Sequence, residues 1–260
     1  MAGSASNEWL KTEVAQVLDD VHRLITGFTD ARRRYQALTA SASAERGLIT
    51  VVADASGAVT EVVYAEDIDE LGYGRIARGT VQAAQQAALE VKRQADEMLA
   101  PLRAMQARLP KLADLVGDLP RQDEPVAPPP ALLTPPGERT DDELAAAPVF
   151  SPPGVADADE ILRLQDERAK VFATGAAEGR RVLVAVNADG ILIDLKFSSG
   201  IGDLDYDEIA DAVTEAARAA VAEVARMVTA LFTPILGDRP RYPGPDAALA
   251  GIEQLLDQLR

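Results

Sequence analysis

The apolar positions of the first forty residues fall at Val14, Val17, Val21, Leu24, Phe28, Ala31, Tyr35 and Leu38. Steps alternating between three and four lay one apolar seam along a helix, so the pattern predicts a long helix over 8–40, suited to a coiled coil or helical hairpin. The period then changes. GLITVVA (47–53) and AVTEVVY (58–64) are short runs rich in β-branched residues and predict two strands. Between them stands Asp54-Ala55-Ser56-Gly57, where aspartate can bond the backbone of a turn and glycine can take positive φ. A polar loop over 65–74 leads to a predicted helix over 75–107, with Ile76, Ala83, Ala87, Val91 and Met98 along one side.

The same pattern returns 133 positions later. Aligning 50–102 with 183–235 needs no gap and gives 15 identities in 53 pairs. They run through both strands and the turn (Val51/Val184, Ala55/Ala188, Gly57/Gly190), the loop (Ile68/Ile201, Leu71/Leu204, Tyr73/Tyr206) and the helix (Ile76/Ile209, Ala83/Ala216, Val91/Val224, Pro101/Pro234). Two alanine-rich helices resemble each other by chance easily, but a turn and two strands in the same register do not. A period this long implies a duplicated domain and not a solenoid. The second turn, Asn187-Ala188-Asp189-Gly190, is the stronger turn sequence. Either turn reads as a plain hairpin in preference to a sugar or phosphate loop. The helix expected over 208–233 carries Ile209, Val213, Ala216, Ala220, Val224, Met227 and Leu231 on one stripe, and so much alanine permits close approach of another helix. Asp205 is placed to cap it. Tyr73 and Tyr206 are expected to pack on the sheet.

Between the repeats, residues 120–155 hold ten of the 16 prolines within 120–153. Such a stretch is expected to hold neither helix nor central strand and to act as a linker. As a flexible coil of 36 residues it would span about 33 Å on average. The expected domains are therefore 1–119, the linker 120–155, and 156–260. The last opens with a helix over 156–177 and closes with one over 245–260, for which 107–119 is the counterpart.

Charge and composition narrow the chemistry. The chain has 260 residues, a formal charge of −16 and no cysteine. There is no disulfide framework, no thiol chemistry and no apolar run near 18 residues, so no membrane span is expected, and the N-terminus lacks a secretory pattern. His22 is the only histidine, which makes a zinc site or a histidine-based triad improbable. Asp203, Asp205, Asp207, Glu208 and Asp211 lack the spacing of an EF-hand and read as helix capping plus solvated charge. No nucleophile–base pair, phosphate-cradling glycine loop or metal spacing marks an enzyme, and neither cofactor nor metal is expected. The charge is uneven: −4 over 1–119, −4 over 120–155 and −8 over 156–260. Arg32-Arg33-Arg34 is the densest basic cluster, either a solvated helix face or an anion contact.

The order helix, strand, turn, strand, alanine-rich helix, present twice, resembles the YbaB/EbfC family of bacterial nucleoid-associated proteins. VLVAVNADGILIDLKF (182–197), Asp205 to Ile209 and AVTEAARAAVAEV (212–224) carry the resemblance in one copy, and LITVVADASGAVTEVVY with IARGTVQAAQQAALEV in the other. The resemblance implies an α+β fold: small α-β-β-α units, with a third short strand in some members, that pair into a tweezer-like dimer. Here two tandem units in one chain would form an intramolecular pseudo-dimer, with further homo-oligomerisation open. It also implies DNA binding without enzymatic activity, in the cytoplasm at the nucleoid. Two features depart from the family pattern, the tandem copies and the acidic balance. Duplicated or divergent relatives in actinobacteria, one of them associated with type VII secretion, imply an alternative role as protein partners.

Two functions follow from different classes. A double-stranded DNA binder would touch phosphates through Arg32, Arg33, Arg34, Lys92, Arg93, Arg103, Arg108 and Lys111, without sequence preference and with strong salt dependence. A cytosolic adaptor or chaperone-like protein would instead bind other proteins through its amphipathic helices and proline linker.

Overall fold

The computed structural model describes residues 23–107, 129–145 and 158–236. In chain order these form α1 (residues 23–36), β1 (Thr39–Ala44), β2 (Ile49–Asp54), β3 (Val59–Tyr64), α2 (Tyr73–Gln106), the single-turn α3 (Asp141–Leu144), α4 (Ala158–Lys170), β4 (Phe172–Ala177), β5 (Val182–Asn187), β6 (Leu192–Phe197) and α5 (Tyr206–Leu236). The fold is mixed helix and sheet, with two antiparallel three-stranded sheets ordered β1-β2-β3 and β4-β5-β6. Residues 23–36 and 96–107 make one compact unit, and 37–95 with 129–145 and 158–236 make another.

Several boundaries differ from the sequence-based expectation. The helix expected over 8–40 ends at residue 36, and the one expected over 156–177 ends at Lys170. Each gives way to a strand that the periodicity concealed. TASASA and FATGAA consist largely of alanine and other small residues, so they read as the tail of a helix. Their alternation is nevertheless of period two: Ala40 and Ala44, like Ala173, Gly175 and Ala177, face inward. The small residues are required there, because β4 lies directly on the backbone of α5. A Cβ added to Gly175 would sit 2.7 Å from the amide nitrogen of Ala220 and 3.0 Å from the carbonyl carbon of Ala216. Residues 8–22, the segment 108–119 and the helix expected over 245–260 lie outside the described residues.

The bounds of β1, β2 and β3, each advanced by 133, are those of β4, β5 and β6. The irregular registers coincide too, between Val52 and Ala53 in one sheet and Ala185 and Val186 in the other. So do the hairpin glycines, Gly57 at φ 86° and Gly190 at φ 81°. In the turns, Asp54 Oδ1 accepts from the amides of Ser56 (2.9 Å) and Ala58 (3.2 Å), and Asn187 Oδ1 accepts from those of Asp189 and Ile191 (3.0 Å each). The turns joining β1 to β2 and β4 to β5 are less expected. Glu45, Arg46 and Gly47 are all left-handed, as are Glu178, Gly179 and Arg180, although each triplet holds only one glycine.

One apolar cluster draws on both sheets, from Ile49, Val51 and Ile76 in the first half to Val184, Leu192, Ile209 and Val213 in the second. The contacts between the halves are reciprocal. Gly57 lies against Ile191, and Gly190 against Ala58, the residue 133 positions before Ile191. Gln85 of α2 donates to the carbonyl of Leu192 on β6 (3.4 Å), and Arg218 of α5 donates to the carbonyl of Thr60 on β3 (3.0 Å). Tyr73 meets Phe197 of the opposite sheet edge-on, ring centres 6.0 Å apart. The phenol of Tyr206 is pushed up by burial and by its neighbours Tyr73 and Asp69. Tyr73 and Tyr206, expected to pack on the sheet, both lie against the apolar cluster and beside one another.

The proline-rich stretch is more ordered than a spacer where it is described. Thr140 and Glu143 form a complete capping box over the single helical turn that was not expected there. Residues 129–145 dock on the second half. The amide of Leu132 donates to the carbonyl of Ala169 (2.9 Å), and Asn187 Nδ2 donates to the carbonyl of Leu132 (3.3 Å). The amide of Ala131 donates to Asp189 (3.1 Å), and Arg139 Nη1 to the carbonyl of Lys170 (2.6 Å). The Arg139 guanidinium also stacks 5.1 Å above the Phe172 ring.

Candidate nucleic-acid interface

A protein that holds duplex DNA without reading its bases needs cations free to replace the counterions of phosphate. Arg32, Arg33 and Arg34 are exposed on α1. Consecutive residues of a helix point about 100° apart, so the three cannot face one phosphate run together. Arg33 also lies 3.9 Å from Asp30. Arg103, in the same compact unit, bonds Asp96 at 3.0 Å.

Lys92 and Arg93 belong to the other unit. Lys92 is exposed and has no ion pair among the described residues. Arg93 is held by Glu90 through two contacts of 2.6 and 2.9 Å. That grip, helped by Gln94, draws the Glu90 carboxyl down to about 2. Arg108 and Lys111 lie outside the described residues. Of the six described candidates, Arg33, Arg93 and Arg103 thus have a carboxylate beside them, while Arg32, Arg34 and Lys92 have none among the described residues.

In the first half, two cations that sequence reasoning passed over are exposed without an ion pair among the described residues. Arg46 stands in the left-handed turn after β1, and Arg78 on the first turns of α2. The signal for Arg78 lay in the repeat, since its counterpart 133 residues on is Asp211.

The second half keeps most of its cations for itself. Arg163 pairs with Glu167 (2.7 Å), Lys170 with Asp166 (2.7 Å) and Lys196 with Asp194 (2.8 Å), while Arg168 pairs with Asp189 and Arg226 with Glu223. The Asp194 contact raises the Lys196 ammonium above its ordinary range. Asp205 caps α5 as expected: it accepts from the amide of Glu208 (2.8 Å), whose carboxylate accepts from the amide of Asp205 (2.9 Å). The remaining acidic residues around that loop do not gather into a metal-ligating group among the described residues. No helix of the described residues is long and apolar enough to cross a membrane.

A third polar feature is buried. Thr80 donates to the carbonyl of Ile76 (2.8 Å), which leaves its oxygen to accept from the Tyr64 hydroxyl (3.0 Å). Burial pushes the Tyr64 phenol up to about 12. The equivalent pair in the second half is Phe197 and Val213, so this contact is structural and particular to the first half.

A three-stranded antiparallel sheet entered from one helix and left by a long alanine-rich helix is an α+β unit. Over its second occurrence this architecture has a sequence counterpart. Residues 158–239, which open with α4 and run through β4–β6 and α5, match the model of the YbaB/EbfC DNA-binding family. No curated protein and no solved structure gives a match.

Proposed function

We propose that this chain is a non-enzymatic, nucleoid-associated DNA-binding protein of the cytoplasm, built by duplication of a YbaB-like domain. The observation that carries the reading is the match of residues 158–239 to a DNA-binding family. The equal spacing of every strand and the shared register irregularity support extending the unit to the first half, over 1–119, with 120–155 as connector and 156–260 as the second domain. In an isologous pair, residue i of one subunit meets j of the other while j meets i. The Gly57–Ile191 and Gly190–Ala58 contacts have that form, which supports an intramolecular pseudo-dimer. Contact with DNA runs mainly through phosphates and falls chiefly to the first half, where Arg32, Arg34, Arg46, Arg78 and Lys92 are exposed without an ion pair among the described residues. Fluorescence polarisation of a labelled long duplex tests this. Binding at about 50 mM salt that weakens steeply at about 200 mM is expected; no binding at the lower salt refutes it.

A second reading is favoured by the carboxylates that sit beside Arg33, Arg93 and Arg103. Together with the net charge of −16 they suit a protein-binding adaptor, of the kind that relatives associated with type VII secretion represent, better than a strong polyanion binder. Purification from the source cell separates the readings. A defined protein complex free of DNA supports the adaptor, and DNA with other nucleoid proteins supports the first reading.

A further inference from the structure

The helices α2 and α5 occupy matching places in their halves, yet their outward faces carry opposite charge. On α2 the exposed residues Arg78, Gln82, Leu89 and Lys92 follow one another at steps of four, seven and three, so they share a face. The positions 133 residues later on α5 are Asp211, Glu215, Ala222 and Ala225. Both faces lie in the same compact unit and both are open to water.

The acidic face is also concave. Asp211, Thr214 and Glu215 of α5, with Glu61 and Val62 of β3, line an open cavity of about 470 Å³. Arg218 sits in it, but its guanidinium is bonded to the carbonyl of Thr60. No ion pair is recorded for Glu61, Asp211 or Glu215 among the described residues, so carboxylate charge is in excess there. On the basic face Leu89, 60% exposed, lies about one turn from Lys92 and about three turns from Arg78. A single exposed leucine is ordinary on a protein surface. Two cations on one helix face, and three carboxylates around a hollow on the other, are a complementary pair.

We propose that the partner of each face is a second copy of this chain: the α2 face of one molecule docks on the α5–β3 face of another, with Arg78 and Lys92 against Glu61, Asp211 and Glu215. The two faces of one molecule differ, so each contact is heterologous and leaves one face of either kind free unless the assembly closes. The proposal uses only charge and shape on the surface, and it gives to a second copy of the chain two cations, Arg78 and Lys92, that the DNA-binding reading gives to phosphate.

Sedimentation velocity of the full chain tests it. Wild type is expected to associate at roughly 100 μM in low salt and to dissociate as salt screens the contact. The variant R78E/K92E has two acidic faces and D211K/E215K two basic ones. Each alone should weaken association by about tenfold or more, since it sets like charges together. An equimolar mixture of the two variants should associate again. The near-isosteric D211N/E215Q variant, which adds no bulk, should lose association while keeping the wild-type circular dichroism. A monomeric wild type, a variant that associates as wild type does, or a mixture that stays monomeric overturns the proposal. So does loss of duplex binding by R78E/K92E when the wild type is monomeric, an outcome that assigns the basic face to nucleic acid.

Discussion

Replacing Gly175 by alanine tests how closely β4 sits on α5. The built Cβ would lie 2.7 Å from the Ala220 nitrogen and 3.0 Å from the Ala216 carbonyl carbon, with the Ala216 oxygen closer still. Ordinary contact begins near 3.4 Å, so relieving the nitrogen alone requires the strand and helix to part by 0.7 Å (3.4 − 2.7). The obstructing atoms are helical backbone and cannot rotate away. A gap of that size forfeits roughly a quarter to a half of the dispersion energy of each contact it opens. Ala173, Ala177, Ala216 and Ala220, all buried along the same seam, would lose contact together. Alanine lowers the entropy of the unfolded chain and so recovers about 0.4–1 kcal/mol. Overpacking against fixed backbone costs about 1–3 kcal/mol and occasionally more, so the steric effect wins. A net loss of about 2 kcal/mol is expected, which lowers Tm by roughly 4–8 °C in a protein of this size. Urea unfolding followed by circular dichroism at 222 nm measures it. Ala176→Gly, at the exposed neighbouring position, is the control and should cost no more than about 1 kcal/mol. If Gly175→Ala stays within about 0.5 kcal/mol of wild type, the range of neutral surface changes, the close-approach argument is wrong.

Three further outcomes are expected. The folded state holds Tyr64 neutral up to about 12, above the phenol's ordinary range near 10, so its contribution is complete below pH 10 and disappears as pH rises from 10 through 12. Tyr64→Phe, which copies Phe197, should therefore lose less stability than wild type between pH 8 and pH 11 in urea titrations; equal losses would show that this phenol is not the cause. Asn187→Asp removes the donor to the Leu132 carbonyl and sets a carboxylate against it, which should cost about 1–3 kcal/mol and speed hydrogen exchange at the Leu132 amide; unchanged exchange would mean that the docking of residues 129–145 does not depend on this bond. Proteolytic cleavage within 146–157 should leave the fragments co-eluting on size exclusion, because the apolar cluster takes residues from both sheets; separate elution would count against a shared core.

Much of the fold was legible because its signals are local. The hairpins over 47–64 and 182–197 announce themselves by β-branched runs around an Asp or Asn turn closed by glycine, and the helix after each by an alanine stripe with Ile76 or Ile209 at its head. The strands β1 and β4 were not legible. TASASA and FATGAA are written in residues chosen for smallness, and smallness answers to a neighbour that sequence pattern does not name. The docking of residues 129–145 was not legible for a similar reason: their prolines forbid long regular structure, but the contacts depend on Asn187, Asp189 and Phe172, more than thirty residues away. Of the cation candidates, the sequence could say that Arg33, Arg93 and Arg103 carry charge. Only the placement of Asp30, Glu90 and Asp96 decided that the charge is already partnered.

By itself, then, the sequence determined the repeat, its 133-residue offset, the two hairpins and their long helices, and the acidic balance, because each is a property of residues near one another or of a sum over the chain. Tertiary structure decided what the repeat does with itself. It joined the two halves through one core, set Tyr73 beside Tyr206, sent Gln85 and Arg218 across to the opposite sheets, and left Arg78 and Asp211 facing water with opposite charge. These outcomes depend on which surfaces meet after burial, and residue spacing along the chain carries no information about that once the separation exceeds a few turns.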